Sequence, residues 1–185
     1  MEKKRVCPVE RAGHLDNKFR RWFQNPQKIL TPYIREGMTA LDLGCGPGFF
    51  SVDMAHMVGK SGRVIASDLQ DGMLHKLRSK VYGTKIGERI VFHKCQKDKI
   101  GITDPVDFIL AFYMVHEIPD QDLFFKEIES LLKTNGVILI VEPPFHVSKK
   151  AFNQTIERAL EAGLIVAERP GVLFSKAVAL IKRPK

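Results

Sequence analysis

The stretch Leu41-Asp42-Leu43-Gly44-Cys45-Gly46-Pro47-Gly48 decides how this chain is read. Three glycines at alternate positions after an apolar run describe a strand that breaks into a tight turn before a helix. Glycine enters left-handed backbone at little cost and lets the main chain press against a ligand. The spacing is not that of a dinucleotide fingerprint, G-x-G-x-x-G, which would need a small residue where Phe49 stands. Nor does the turn end in the Lys-Ser/Thr of a phosphate-binding P-loop. Asp42 occupies a place that dinucleotide folds usually give to an aliphatic residue, and it suits a ligand carrying a cationic group. Asp68 closes the next apolar run, where a carboxylate can accept both hydroxyls of a ribose. Singly, Asp42 could be a satisfied turn carboxylate and Asp68 a helix cap; their order around the glycine turn favours a ligand site.

Outward from that turn, apolar runs with β-branched residues alternate with helical patterns, the rhythm of parallel strands joined by crossover helices. Strands are predicted at 39–43, 63–67, 90–94, 108–112 and 137–141. Helices are predicted over 49–58, over 72–82, and from an N-cap at Asp120 to a stop at Asn135-Gly136. The fully apolar run 137–141 suits the centre of a sheet covered on both faces. A helix over 151–162 leads to two last strands, 164–168 and 176–181. Their joint, beginning at Pro170-Gly171, is too short for a crossover helix, so this pair is predicted antiparallel. The fold class is therefore α/β: a Rossmann-like, doubly wound, seven-stranded and mostly parallel sheet, last strand antiparallel, with helices on both faces. Residues 18–33 read as a helix or two interrupted by Pro26, with Phe19, Trp22, Phe23 and Ile29 as apolar contacts. Residues 1–36 are expected to form a helical lid on a single domain spanning 37–185.

The chain has 185 residues, 44% apolar and 27% charged, which suits one compact domain rather than a disordered chain. Its longest apolar run, 108–115, is far short of the ~20 residues that cross a bilayer. Met1-Glu-Lys-Lys-Arg leads into no signal-peptide core, so a soluble, cytoplasmic protein without a membrane partner is expected, as monomer or homodimer. Three cysteines, at 7, 45 and 95, show no paired spacing, so neither a disulfide framework nor a metal site is expected. The net charge of +8 lies at the two ends: 9 basic and 4 acidic residues up to position 37, 12 and 14 in the middle, 8 and 3 after position 145. Solvated lysines and arginines account for this more readily than an RNA-facing rim, which is kept as the alternative.

The same residues resemble a known family, the class I S-adenosylmethionine-dependent methyltransferases, over nearly the whole chain from about residue 37. The glycine turn looks like the family's first motif, and Asp68-Leu-Gln-Asp-Gly-Met73-Leu looks like its second. The run from Asp107 to Asp120 resembles the strand, loop and helix start beside the transferring methyl, and Leu131 to Glu142 is similar to the run into the fifth strand. The likeness is to the small-molecule type, including ubiquinone/menaquinone and arsenite methyltransferase-like proteins. It implies S-adenosylmethionine as cofactor and S-adenosylhomocysteine as product. The turn with Gly44, Cys45, Gly46 and Gly48 would face the methionine part, Asp42 the ammonium, and Asp68 the ribose hydroxyls. Leu69 and Met73 would face the adenine, and Ala111 and Phe112 the sulfonium. After the third strand the family commonly has Gly-Asp-Ala, whose Asp bonds the adenine amino group; here Lys94-Cys95-Gln96-Lys97-Asp98 leaves that place to Cys95 or Gln96.

Methyl transfer from a sulfonium asks the protein mainly to align the acceptor and exclude water. A base is needed where the acceptor must lose a proton. His116 has a suitable unperturbed pKa, with Tyr113 and Glu117 beside it; a histidine that merely packs the loop is the competing reading. His14 and Asp16 are weaker candidates. Glu142-Pro-Pro-Phe145 is similar to a box in methyltransferases of nucleic-acid amino groups, but it follows the fifth strand instead of the fourth and reads as a strand terminator. The cysteines read as small buried residues ahead of thiol ligands for a metalloid. The expected function is methyl transfer to a small-molecule acceptor. An RNA methyltransferase and a non-catalytic binder of the cofactor are the alternatives.

Overall fold

The computed structural model describes residues 18–183. Two short helices, α1 (Lys18–Phe23) and α2 (Pro26–Leu30), precede β1 (Thr39–Leu43), α3 (Ser51–Met57), β2 (Arg63–Asp68), α4 (Asp71–Val81) and β3 (Ile90–Lys94). There follow β4 (Val106–Phe112), α5 (Gln121–Leu131), β5 (Leu132–Glu142), α6 (Lys149–Glu161), β6 (Leu164–Glu168) and β7 (Lys176–Lys182). The break before α2 has a local cause. Pro26 stands in the first helical turn, where its missing N–H costs nothing, and the Asn25 side chain accepts from Lys28 N–H. Asp120 and Ser148 cap α5 and α6 in the same way, through Leu123 N–H and Ala151 N–H.

The strands form one sheet in the order β3-β2-β1-β4-β5-β7-β6. β1 to β5 are parallel, and β7 runs antiparallel to both β5 and β6. This is the predicted Rossmann-like architecture. Strand alternation sorts the core onto two faces. Phe108, Leu110 and Phe112 of β4 pack with Met54 of α3 and Leu77 of α4, whereas Ile109 and Ala111 pack with Ile128 of α5 and Ile156 of α6. Leu30 of α2 belongs to the first face, and Tyr33 stacks on Phe108 with ring centroids 5.7 Å apart. The strand order reverses between β1 and β4, so the crevice at their carboxyl ends is where an open α/β sheet binds its ligand.

Three details differ from the sequence reading. β4 begins at Val106 and β5 at Leu132, earlier than 108 and 137, because Leu132 pairs with Val106 across an irregularity in register and Lys133 pairs with Asp107 at 2.7 Å. Asn135-Gly136 therefore lies within β5 instead of ending a helix. Trp22 and Phe23, expected as apolar contacts, are 78% and 43% exposed, since α1 lies at the rim of the crevice and not on the core.

Gly48 sits at φ 85°, and a Cβ there would run into the fully buried Leu77 side chain. Gly48→Ala is accordingly expected to cost about 2–3 kcal/mol in urea unfolding, from left-handed strain plus overpacking. Gly171→Ala, where nothing lies within 4 Å, should stay within about 1 kcal/mol of the parent.

Candidate active site

The turn after β1 holds Gly44, Gly46 and Gly48 in left-handed backbone, at φ 67°, 54° and 85°. A side chain at Gly44 would crowd Met114 at 3.2 Å, so the turn lies close against the loop that follows β4. Hydrogen bonds fasten it to its neighbour. Cys45 N–H donates to the Ser67 carbonyl (3.0 Å) and Gly46 N–H to Asp68 Oδ2 (2.9 Å). Asp68 Oδ1 accepts from Gln70 N–H (2.8 Å), and the Asp68 carbonyl accepts from Cys95 N–H (3.2 Å), so the exits of β1, β2 and β3 are tied together. A carboxylate offers about four acceptor positions, so Asp68 keeps capacity for hydroxyl donors. Burial raises its pKa, opposed by the backbone N–H bonds from Gln70 and Gly46.

Asp42 is 2% exposed and accepts from Ser51 Oγ at 2.6 Å. Burial pushes its carboxyl up to about 7, against the Ser51 hydrogen bond; the Asp68 charge adds to the rise and the Arg20 guanidinium opposes it. A cation placed beside Asp42 would favour the ionised form. The thiols of Cys45 and Cys95 are also raised by burial, which keeps them neutral.

A cavity of about 1340 Å³ opens over these groups. One half is bounded by the glycine turn, by Asp68, Leu69, Gln70 and Met73, and by the loop from Cys95 to Ile100. The other half is aromatic. Phe49 meets Phe50 at 4.9 Å between centroids, Phe50 meets Phe112 at 4.5 Å, and Phe112 meets Tyr113 at 4.5 Å. Arg20 of α1 lies 4.2 Å over the Phe49 ring, and Gln24 Nε2 donates to Tyr113 Oη at 2.6 Å. Tyr113 Oη also lies 2.6 Å from Ser175 Oγ. Glu117 lines the same cavity, and burial pushes its carboxyl up to about 7; His116 opposes this rise, and Glu142 and Asp68 add to it.

Most of the residues singled out in the sequence converge on this cavity: Asp42, Gly44, Cys45 and Gly46 on the turn, Asp68, Leu69 and Met73 beside β2, Cys95 and Gln96 after β3, and Phe112 with Tyr113 and Glu117 after β4. Three do not line it. Gly48 packs against α4, and Ala111 faces the opposite core by strand alternation. His116 is turned away: its Nδ1 lies 2.6 Å from Glu142 Oε2, and its backbone N–H donates to Glu142 Oε1 at 2.9 Å. That hydrogen bond raises the His116 pKa, against the effect of burial. Cys7, His14 and Asp16 lie outside the described residues. The sequence reading missed Arg20, Gln24, Phe124 and Glu127, which come to the cavity by tertiary approach and carry no spacing signal.

Comparison with known proteins gives three findings. Residues 34–169 match the family model described as a methyltransferase domain. The chain is similar to the ubiquinone/menaquinone biosynthesis C-methyltransferase of Cellvibrio japonicus (28% identity over 129 residues, 69% of this chain and 50% of the relative). It is also similar to the demethylmenaquinone methyltransferase of Lactobacillus johnsonii (32% over 110 residues, 59% and 45%). It thus spans about half the length of these curated relatives. Among solved structures, an S-adenosylmethionine-dependent methyltransferase from Aquifex aeolicus superposes with a TM-score of 0.83 at 26% identity, over 96% of this chain and 100% of that one.

The buried Glu142 carboxylate, 2% exposed, relies on the His116 ring as a partner. His116→Ala is expected to cost about 2 kcal/mol near pH 6, because a buried charge loses its partner. The folded pKa of His116 lies above its unfolded value of about 6.5. Its contribution is therefore complete below that value and lost as pH rises through the folded pKa. Urea unfolding of both proteins should show the gap narrowing as pH rises and the His116 ring loses its proton.

Proposed function

Because the chain belongs to the methyltransferase-domain family, we propose that it transfers a methyl group from S-adenosylmethionine to a small, largely apolar acceptor. The observation that carries this reading is a single cavity with two chemistries: buried carboxylates and a glycine turn on one side, four aromatic rings on the other. Its volume of about 1340 Å³ exceeds the ~300–1,000 Å³ that one ligand usually occupies, leaving room for a cofactor and an acceptor together. The donor set fits an adenosyl sulfonium, with Asp42 for a cationic end, the remaining acceptor capacity of Asp68 for a diol, and Leu69 and Met73 for a flat base. The curated relatives are named for quinone biosynthesis, and an aromatic or quinone-like ring matches the Phe49–Phe50–Phe112 wall.

When bound, S-adenosylmethionine supplies a methyl group carried on positively charged sulfur. The protein's part is alignment and shielding. Asp68 fixes the position of the nucleoside end and Asp42 that of the amino-acid end, while the aromatic wall removes water and holds an apolar acceptor flat. Glu117, with a carboxyl near 7, takes the proton that a hydroxyl, amine or ring carbon gives up. Tyr113, fixed by Gln24 and Ser175, presents its hydroxyl to a polar atom of the acceptor. His116 supports this loop through Glu142 and takes no proton from the acceptor.

Incubation with methyl-labelled cofactor is expected to place label in an apolar small molecule from a cell extract; label confined to RNA, or none at all, overturns the reading. With that product as the assay, turnover should rise with pH through about 7 as Glu117 ionises. Glu117→Gln is expected to flatten this limb and lower kcat by about 10²–10⁴. An unchanged profile would exclude Glu117 as the base.

A further inference from the structure

Under the reading above, the cofactor ends in an amino acid that carries a carboxylate as well as an ammonium. Asp42 suits only the ammonium; the carboxylate needs a donor from elsewhere. The cationic side chains on the cavity wall are Arg20, Lys97 and Lys99. Lys97 and Lys99 belong to the loop after β3, which β2 separates from β1 in the sheet. Arg20 is at the other end. Its guanidinium lies 4.2 Å over Phe49, the residue that follows Gly48, and 5.8 and 5.6 Å from the ring centres of Phe50 and Phe112. It is close enough to Asp42 for the two charges to act on each other. Ring faces hold a guanidinium by its flat surface, the geometry that presents its N–H edge to a planar carboxylate. Arg20 Nε donates to Gln24 Oε1 at 2.9 Å, which sets the plane of the group.

A second, independent feature keeps α1 in this place. Among the described residues, the non-glycine positions with left-handed backbone are Tyr113 (φ 61°) and Phe174 (φ 54°), and both meet the end of α1. Tyr113 accepts from Gln24, and the Phe174 ring lies 6.5 Å from that of Phe23. Arg21 pairs with Asp53 of α3 at 2.8 Å. These contacts, together with the Arg21–Asp53 pair, hold the helix that carries Arg20.

We propose that Arg20 receives the carboxylate of the cofactor's amino-acid end, so that α1 is a wall of the cofactor site and selects adenosyl ligands that bear an amino acid. The proposal rests on the cofactor assignment above, and its test separates the two. Calorimetric titration of the full chain with S-adenosylhomocysteine and with 5′-methylthioadenosine, which lacks the amino acid, is compared for wild type and Arg20→Met. The methionine keeps an unbranched stem against Phe49. The expected result is about tenfold or greater loss of affinity for S-adenosylhomocysteine, with 5′-methylthioadenosine within about twofold of wild type. Retained binding of 5′-methylthioadenosine also reports that the variant is folded. Unchanged affinity for S-adenosylhomocysteine, or equal losses for both ligands, overturns the role of Arg20 while leaving the cofactor assignment standing. Failure of wild type to bind either ligand overturns both.

Discussion

The Asp68 carboxylate, shared between Gly46 N–H and Gln70 N–H, is the fastening on which the site depends. It stands at the tip of β2 and reaches across to the turn that leaves β1. The parallel register of these strands, with Leu43 opposite Ser67, places it there. The turn's left-handed glycines have the freedom to adopt many shapes; the bond to Asp68 selects one. That shape sends the chain into α3, whose Ser51 returns a hydrogen bond to Asp42. One buried carboxylate thus orients the second, and both are pressed toward neutrality by burial, a cost that a bound cation and a diol would relieve.

The two halves of the cavity are built by different means. The half around Asp42 and Asp68 comes from strand ends and main-chain bonds, with Cys45 N–H, Gly46 N–H and Gly48 N–H already committed. The aromatic half comes from side chains on two separate segments, Phe49 and Phe50 just before α3, and Phe112 with Tyr113 at the exit of β4. Its shape can be altered by substitution without disturbing the sheet.

The sheet was legible in the sequence because its punctuation is local: glycines after β1, Asp120 before α5, and Pro170-Gly171 between the last strands. The early start of β5 was not, since Leu132 to Gly136 has the look of a helix end and becomes strand only by pairing with β4 across an irregular register. The side of the cavity around Asp42 and Asp68 was legible for the same reason as the sheet. His116 was the natural choice of base by intrinsic pKa, yet it and Glu117 share one 3-10 turn, where adjacent side chains point about 120° apart. The turn delivers Glu117 to the cavity and His116 to Glu142, and nothing in the order of the two letters reveals which. Arg20 and Gln24 were invisible because their importance lies in where α1 docks.

The position of β7 has a consequence for how the chain comes into being. It follows β6 in sequence but is an interior strand in space, inserted between β5 and β6. Until residues 176–182 have left the ribosome, β5 exposes an unpaired row of backbone groups flanked by Ile138, Leu139, Ile140 and Val141, which are completely buried in the finished molecule. Such an edge is a template for other nascent chains. Escape from aggregation therefore waits on residues 176–182, and a break in the chain upstream of them would leave a sticky fragment instead of a smaller folded protein.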